Sequence, residues 1–207
     1  MTLARGIRLS AAGALLAVAL AAGAGCGGSS SDSTTTNASL AGQALKPPKQ
    51  APPLQLANYD GQEVNLDQFQ GKAVLVTFIY THCPDVCPII VGNLHAAQSE
   101  LGSGADDLQI IAVSVDPKGD TPKTVKAFLK DHQMTGRMDW LIGSRPQLER
   151  TWKTWGIATR VPKKNPELVE HSAEIFGIDA SGTVRTLYPA NFKPKWIVHD
   201  VPILASE

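Results

Sequence analysis

The chain has 207 residues and a mass of 22.0 kDa, which fits one domain with an additional segment. Lysine and arginine together number 19, as do aspartate and glutamate, so the sequence lacks the basic surplus of a nucleic-acid-binding protein. Three cysteines are too few for a disulfide framework, and no apolar run reaches the roughly 20 residues of a membrane-spanning helix. These features exclude a polytopic membrane protein and a disulfide-stapled miniprotein.

Residues 1–26 are typical of an export signal, because two arginines precede an apolar stretch over residues 11–22. The apolar stretch is followed by Gly23-Ala24-Gly25-Cys26, which resembles the lipobox of bacterial lipoproteins. In that pattern a peptidase cuts before the cysteine, which receives diacylglycerol. Gly23 stands where such sites usually carry leucine, so cleavage elsewhere or retention as an anchor stays open. We expect lipidation of Cys26 and a domain on the extracytoplasmic face of the cell membrane.

The segment that follows, residues 27–50, is rich in serine, threonine, glycine and proline. It has no apolar period of a helix or a strand, so it cannot bury enough surface to offset the entropy cost of ordering. We expect a flexible tether here. Residues 51–207 contain no internal repeat and form one predicted domain.

The predicted elements of that domain alternate between strands and helices. In chain order they are a hairpin over 54–56 and 63–66, a buried strand over 73–80, a helix from 88 to about 101, a buried strand over 108–115, a helix from 121 to about 132, a helix over 146–155, a closing hairpin over 171–178 and 183–187, and a final helix from 195. Pro202 predicts a break in the last helix, or a separate turn capped by Asp200. This order favours an α/β, thioredoxin-like fold with a central mixed sheet flanked by helices and an N-terminal β-hairpin.

Two cysteines are the main candidates for a functional site. Cys83 and Cys87 lie between the first buried strand and its helix, one helical turn apart, so both sulfurs can reach the same point. The N–H groups of a helix N-terminus stabilise thiolates. The pair is therefore expected either to form a disulfide or to share a metal ion. Thioredoxin-type enzymes have two intervening residues, not three, and the Cys-x-x-Cys-His of haem attachment is absent.

Three motifs in this order and spacing resemble the Sco/SenC family: Phe78-Ile79-Tyr80-Thr81-His82-Cys83-Pro84-Asp85-Val86-Cys87-Pro88, Val113-Ser114-Val115-Asp116-Pro117 with Asp120-Thr121-Pro122, and His171-Ser172. The resemblance covers essentially all of residues 51–207. It implies a copper site made by Cys83, Cys87 and His171, and a role in building the dinuclear copper centre of cytochrome c oxidase. Glu170 stands where the family commonly has aspartate.

The donor chemistry agrees with that implication. Two thiolates favour Cu(I), and an added imidazole gives three ligands that also accept Cu(II). A structural zinc site would need a fourth ligand, which only His82 or an acid could supply. His171 is expected at the start of the strand that runs beside the central one.

Four acidic residues are candidates for contacts around the ligands: Asp85, Asp116, Asp120 and Glu170. Asp116 and Asp120 flank a turn, where a cap or an Asx-turn is the simpler explanation. His82 is expected in solvent, Met134 and Met138 in the core, and three other histidines in ordinary helical positions, namely His95, His132 and His199.

Three functions remain open on this basis. The first is a membrane-tethered copper metallochaperone that passes copper to the oxidase subunit holding the copper centre, which would make the protein a carrier and not an enzyme. The second is a thiol-disulfide oxidoreductase in which Cys83 and Cys87 reduce the cysteine ligands of that centre. The third is a redox or copper sensor. The histidine favours metal binding, because dithiol exchange does not need it.

Overall fold

The computed structural model describes residues 39–165 and 168–207. The predicted signal, its Cys26 and the first half of the predicted tether lie outside these residues. Ten strands and four helices follow one another in the described part: β1 Gln43–Gln50, β2 Gln55–Asn58, β3 Glu63–Asn65, β4 Ala73–Ile79, α1 Val86–Leu101, β5 Leu108–Ser114, α2 Pro122–Asp131, β6 Asp139–Ile142, α3 Arg145–Trp155, β7 Thr159–Arg160, β8 Glu170–His171, β9 Ile175–Ile178, β10 Thr183–Tyr188 and α4 Pro194–Ala205. No helix in these ranges is both long and apolar enough to span a membrane.

Eight strands form one mixed sheet in the order β1-β10-β9-β4-β5-β6-β2-β3. The central strands β4, β5 and β6 are parallel, and the flanking pairs are antiparallel. Every residue of β4 is buried, as expected for a strand covered on both faces. The predicted thioredoxin-like architecture, with its N-terminal hairpin β2–β3, is confirmed.

Helices cover both faces of the sheet. Trp155 of α3 packs on Phe78 and Phe176 on one face, with ring centroids 5.8 and 5.2 Å away. Gly177 points to the other face, where Leu204 of α4 lies 3.5 Å from the position that a Cβ would take. The core is therefore continuous through both layers, and α1 packs beside α4.

The predicted start of α2 is confirmed in detail. Thr121 is the N-cap, and its hydroxyl accepts the N–H of Thr124 at 3.2 Å. Pro122 occupies the first helical position, where its missing N–H costs nothing.

The structure corrects the expected boundary between tether and domain. Residues 43–50 form β1, which pairs antiparallel with β10 at one edge of the sheet. An edge strand tolerates prolines such as Pro47 and Pro48, because one side of its backbone needs no partner in the sheet. The domain therefore includes at least this strand.

The prediction for the last helix was wrong. The helix α4 runs through Pro202 without a break. Asp200 does not cap a separate turn: it is fully buried, and its carboxylate accepts the N–H groups of Ala41 at 2.7 Å and Gly42 at 3.0 Å and the hydroxyl of Tyr188 at 2.8 Å. These contacts fasten the start of β1 to α4.

Candidate metal centre

The two predicted cysteines lie together at the carboxyl end of β4. Both are free thiols and both are buried, with exposed fractions of 8% for Cys83 and 0% for Cys87. The helix α1 begins at Val86, two residues before the predicted Pro88, so Cys87 belongs to its first turn. The Cys87 N–H donates to the Cys83 sulfur at 3.3 Å. Asp85, the N-cap, makes no side-chain cap hydrogen bond, which leaves the Cys83 sulfur as an acceptor for the first N–H groups of the helix.

In the reduced pair the two sulfurs share one proton, which stays on Cys87. The hydrogen bond from the Cys87 thiol lowers the pKa of Cys83 from 9.0 to about 5 against the opposing effect of burial, and backbone N–H groups of residues 85–87 contribute to the lowering. The same hydrogen bond and burial raise the pKa of Cys87 well above its usual range. Near neutral pH the reduced pair is therefore a Cys83 thiolate held by a Cys87 thiol.

His171 approaches the pair from a different element than predicted. It belongs to the two-residue strand β8, which pairs with β7 in a small separate sheet, and β9, the neighbour of β4, starts only at Ile175. The expectation that His171 begins the strand beside the central one was therefore wrong. Its half-buried ring meets the ring of Tyr80 nearly edge to face, with centroids 5.9 Å apart.

A neighbouring carbonyl group determines which nitrogen of the His171 imidazole donates a hydrogen bond. Its Nδ1 lies 2.7 Å from the Ser172 carbonyl oxygen. Because a carbonyl oxygen only accepts, Nδ1 is the donor, and in the neutral imidazole the lone pair therefore lies on Nε2. Within residues 39–165 and 168–207, however, no group of three or more His, Cys, Asp or Glu side chains is close enough to hold a metal ion.

Tyr80 stands between the histidine and the thiols. It is 2% exposed, its hydroxyl accepts the N–H of Val169 at 3.3 Å, and its carbonyl oxygen accepts the N–H of Cys83 at 3.4 Å. Burial raises the pKa of Tyr80, so the hydroxyl keeps its proton. The structure thus brings the two thiols together, and Tyr80 contacts both the cysteine loop and the histidine.

Asp120 supports the loop that carries the cysteines. Its buried carboxylate accepts the Thr81 N–H at 2.9 Å, the Thr81 hydroxyl at 2.8 Å and the Ser114 hydroxyl at 2.6 Å. Burial raises its pKa, and these hydrogen bonds oppose the rise. Asp120 is therefore a structural anchor between the end of β5 and the start of the cysteine loop.

The other acidic candidates have partners of their own or are exposed. Asp116 makes an Asx-turn, accepting the Lys118 N–H at 3.2 Å. Glu170 is exposed and forms an ion pair with Arg160, so its carboxylate is engaged across the β7–β8 pair. Asp85 is exposed at the helix cap.

The histidines and methionines outside the ligand set behave as expected. His82 is exposed, with its Nδ1 3.1 Å from the Thr81 hydroxyl. Met134 and Met138 are buried in the core. The remaining histidines lie on or next to helices: His95 on α1, His132 at the end of α2 against Phe128, and His199 on α4 beside Asp200.

Sequence reasoning missed two contributors to the site. Tyr80 lies three residues before Cys83, a spacing that brings a residue at a strand end near the following loop. Gly119 has no such signal: a Cβ there would overlap the Asp116 carboxylate and lie 2.8 Å from His82 Nδ1, so a larger residue requires these two side chains to move.

Fold and site together define a class: a thioredoxin-like domain with a Cys-x-x-x-Cys dithiol at the start of its first helix and a histidine on the opposite side of a tyrosine. A sequence profile of the SCO1/SenC family matches residues 42–205. The chain belongs to that family.

Known relatives resemble the chain over most of its length. The SCO1 protein homolog of Bacillus subtilis is 28% identical over 148 residues, which are 69% of this chain and 76% of the relative. The copper-bound structure of Bradyrhizobium japonicum ScoI superposes with a TM-score of 0.67 at 28% identity, covering 75% of this chain and 99% of that one. BsSco, a Sco-family cytochrome c oxidase assembly protein in which a disulfide switch was identified, has a TM-score of 0.66 at 26% identity, covering 79% and 98%.

Proposed function

We propose that this protein is a membrane-tethered, extracytoplasmic metallochaperone that carries copper on Cys83, Cys87 and His171 and delivers it to the copper centre of cytochrome c oxidase. The observation that carries the proposal is the dithiol at the start of α1, where the Cys87 N–H donates to the Cys83 sulfur and the pKa of Cys83 is lowered to about 5. A preformed thiolate can take up Cu(I) without first losing a proton. Family membership and the copper-bound relative support the choice of metal.

The donor set suits a cargo metal. Cys83, Cys87 and the Nε2 of His171 supply soft and borderline donors that copper prefers in both oxidation states. They do not form a closed four-ligand cage, which favours transfer by ligand exchange over permanent storage. When copper binds, the Cys87 thiol must release its proton, so loading is coupled to proton release.

The membrane anchor in this proposal is inferred from the sequence around Cys26. A lipid on Cys26 would leave the domain on a tether that starts at residue 27, and a tethered domain samples the space just above the membrane. Such placement suits delivery to a membrane-embedded oxidase.

The dithiol also supports a second candidate, a thiol-disulfide oxidoreductase. In that reaction the Cys83 thiolate attacks a target disulfide, and the Cys87 thiol resolves the mixed disulfide. Two electrons and the single proton of the cysteine pair pass to the target, which leaves as one thiol and one thiolate, and the thiolate takes its proton from solvent. The low pKa of Cys83 favours this chemistry as much as copper binding.

Anaerobic copper titration of the reduced chain tests the proposal, with Cys26→Ser as the background so that no third thiol binds metal. We expect one copper per chain and a thiolate-to-Cu(II) charge-transfer absorption that Cys83→Ala or Cys87→Ala abolishes. Oxidation of the pair to a disulfide should abolish binding as well. Undiminished copper affinity after that oxidation would locate the site elsewhere.

His171→Ala separates the two candidates, and His95→Ala on α1 is its matched control. Loss of the imidazole should weaken Cu(II) strongly, leave a two-thiol Cu(I) complex, and leave the rate of disulfide reduction unchanged. Failure of oxidase assembly in cells with this variant, but not with the control, would support copper delivery. Normal assembly would instead favour the oxidoreductase.

A further inference from the structure

Tyr80 contacts both halves of the candidate site. It follows β4 directly and is buried, so the packing around it holds its side chain in one position. Its ring packs against His171, its hydroxyl accepts the Val169 N–H at 3.3 Å, and its carbonyl oxygen accepts the Cys83 N–H at 3.4 Å. The histidine segment and the cysteine loop are therefore both bonded to this one residue.

Among the described residues, few hydrogen bonds fix the segment that carries His171. Its strand β8 has two residues, pairs with the equally short β7, and is separate from the main sheet. The Ser172 N–H adds one bond to the Ala158 carbonyl at 3.3 Å. A two-stranded pair of this length is marginal on its own. Val169 and Ala173 pack against the core, and the Tyr80 side chain adds a ring contact to His171 itself and a hydrogen bond to the Val169 N–H.

We propose that Tyr80 is a positioning residue that holds the His171 segment in register with the Cys83–Cys87 pair, so that arriving copper meets thiols and imidazole together. This inference rests on the proposed function for its consequence, although the contacts themselves exist in the metal-free protein. The ring sets the distance of His171, and the hydroxyl holds Val169 of the same segment.

Tyr80→Phe tests the hydroxyl while keeping the ring, and Tyr188→Phe is the matched control. Tyr188 is also fully buried, and its hydroxyl donates to Asp200 within the β10–α4 region. In the reduced, metal-free full chain, we expect amide exchange of Val169 to accelerate about tenfold in Tyr80→Phe, because its acceptor is lost. Tyr188→Phe should leave Val169 exchange unchanged. Equal Val169 exchange in Tyr80→Phe and the parent would overturn the role of Tyr80.

Copper binding supplies the second readout. Tyr80→Phe should weaken Cu(II) binding roughly 10- to 100-fold, as for other residues that orient a metal ligand, and should affect the two-thiol Cu(I) complex far less. In the His171→Ala background the same change should cost nothing further, because the residue it positions is gone. Additive losses would contradict the proposal.

The two readouts separate the possible failures. If the parent chain binds no copper, the proposed function is refuted, and Val169 exchange still reports whether Tyr80 holds the segment. If the parent binds copper and Tyr80→Phe binds Cu(II) as tightly as the parent, the function stands and the positioning role falls.

Discussion

Replacing Cys87 by alanine removes the strongest hydrogen bond to the Cys83 sulfur and should move the Cys83 pKa back toward that of an ordinary thiol. In the reduced protein the Cys87 thiol is the largest cause that lowers this pKa from 9.0 to about 5. The backbone N–H groups at the start of α1 remain in the variant. We therefore expect part of the lowering to survive.

The size of the effect follows from the linkage between pKa and free energy. A pKa near 5 instead of 9 corresponds to about 5 kcal/mol of preferential stabilisation of the thiolate, at about 1.4 kcal/mol per pH unit. A hydrogen bond to a charged group contributes about 1.5–3 kcal/mol. Loss of the Cys87 thiol should then raise the Cys83 pKa by roughly one to two pH units.

Alkylation by iodoacetamide measures this pKa when its rate is followed against pH in the Cys26→Ser background. The rate at one pH would mislead. At pH 7 a pKa of about 5 raises the thiolate fraction roughly 100-fold, but the lower nucleophilicity of such a thiolate cancels much of that gain. The midpoint of the pH profile is free of this compensation.

Two further variants complete the measurement. Cys87→Ser keeps a donor next to the sulfur and should give a midpoint between those of the parent and Cys87→Ala. Cys83→Ala leaves only Cys87 and should show no titration below pH 9, because burial keeps its proton on. A parent midpoint near 9, or identical midpoints for the parent and Cys87→Ala, would refute the shared-proton description.

The same group makes stability depend on pH. Because its folded pKa lies below its unfolded value, the Cys83 thiolate stabilises the reduced fold fully above about pH 9, and the contribution disappears as the pH falls to about 5. Urea unfolding of the parent and Cys83→Ala across this range should show the difference between them shrinking toward acid. A constant difference would contradict the sign.

Three other predictions concern the rest of the chain. Gly119→Ala should cost less than about 1 kcal/mol of unfolding free energy but shift the His82 resonances, because its Cβ would displace the Asp116 carboxylate and the His82 ring, and unchanged spectra would count against the tight fit. Asp200→Ala should cost about 3 kcal/mol in denaturant unfolding, because buried donors lose their acceptor, and a cost under about 1 kcal/mol would show that the anchor contributes little. Mass spectrometry of the mature protein should find a diacylglycerol-modified N-terminus at Cys26, and any other terminus refutes lipidation.

Local chemistry made several features of this protein predictable from its sequence. Thr121 and Pro122 start a helix through interactions within one turn, and the apolar run at 73–79 requires burial on both faces whatever surrounds it. The spacing of Cys83 and Cys87 brings their sulfurs together because both belong to one loop and helix start. These features depend on residues close in the chain.

Other features were decided by partners distant in sequence. Residues 43–50 read as a tether on composition, yet they form β1 because the open edge of β10 accepts them. Asp200 suggested a cap, yet it is buried where the start of β1 and Tyr188 supply donors. His171 was expected on the main sheet, but it lies on the small β7–β8 pair, where its ring packs against Tyr80. A sequence pattern shows which kind of partner a residue requires, whereas the order of the strands in the sheet determines which distant residue becomes that partner.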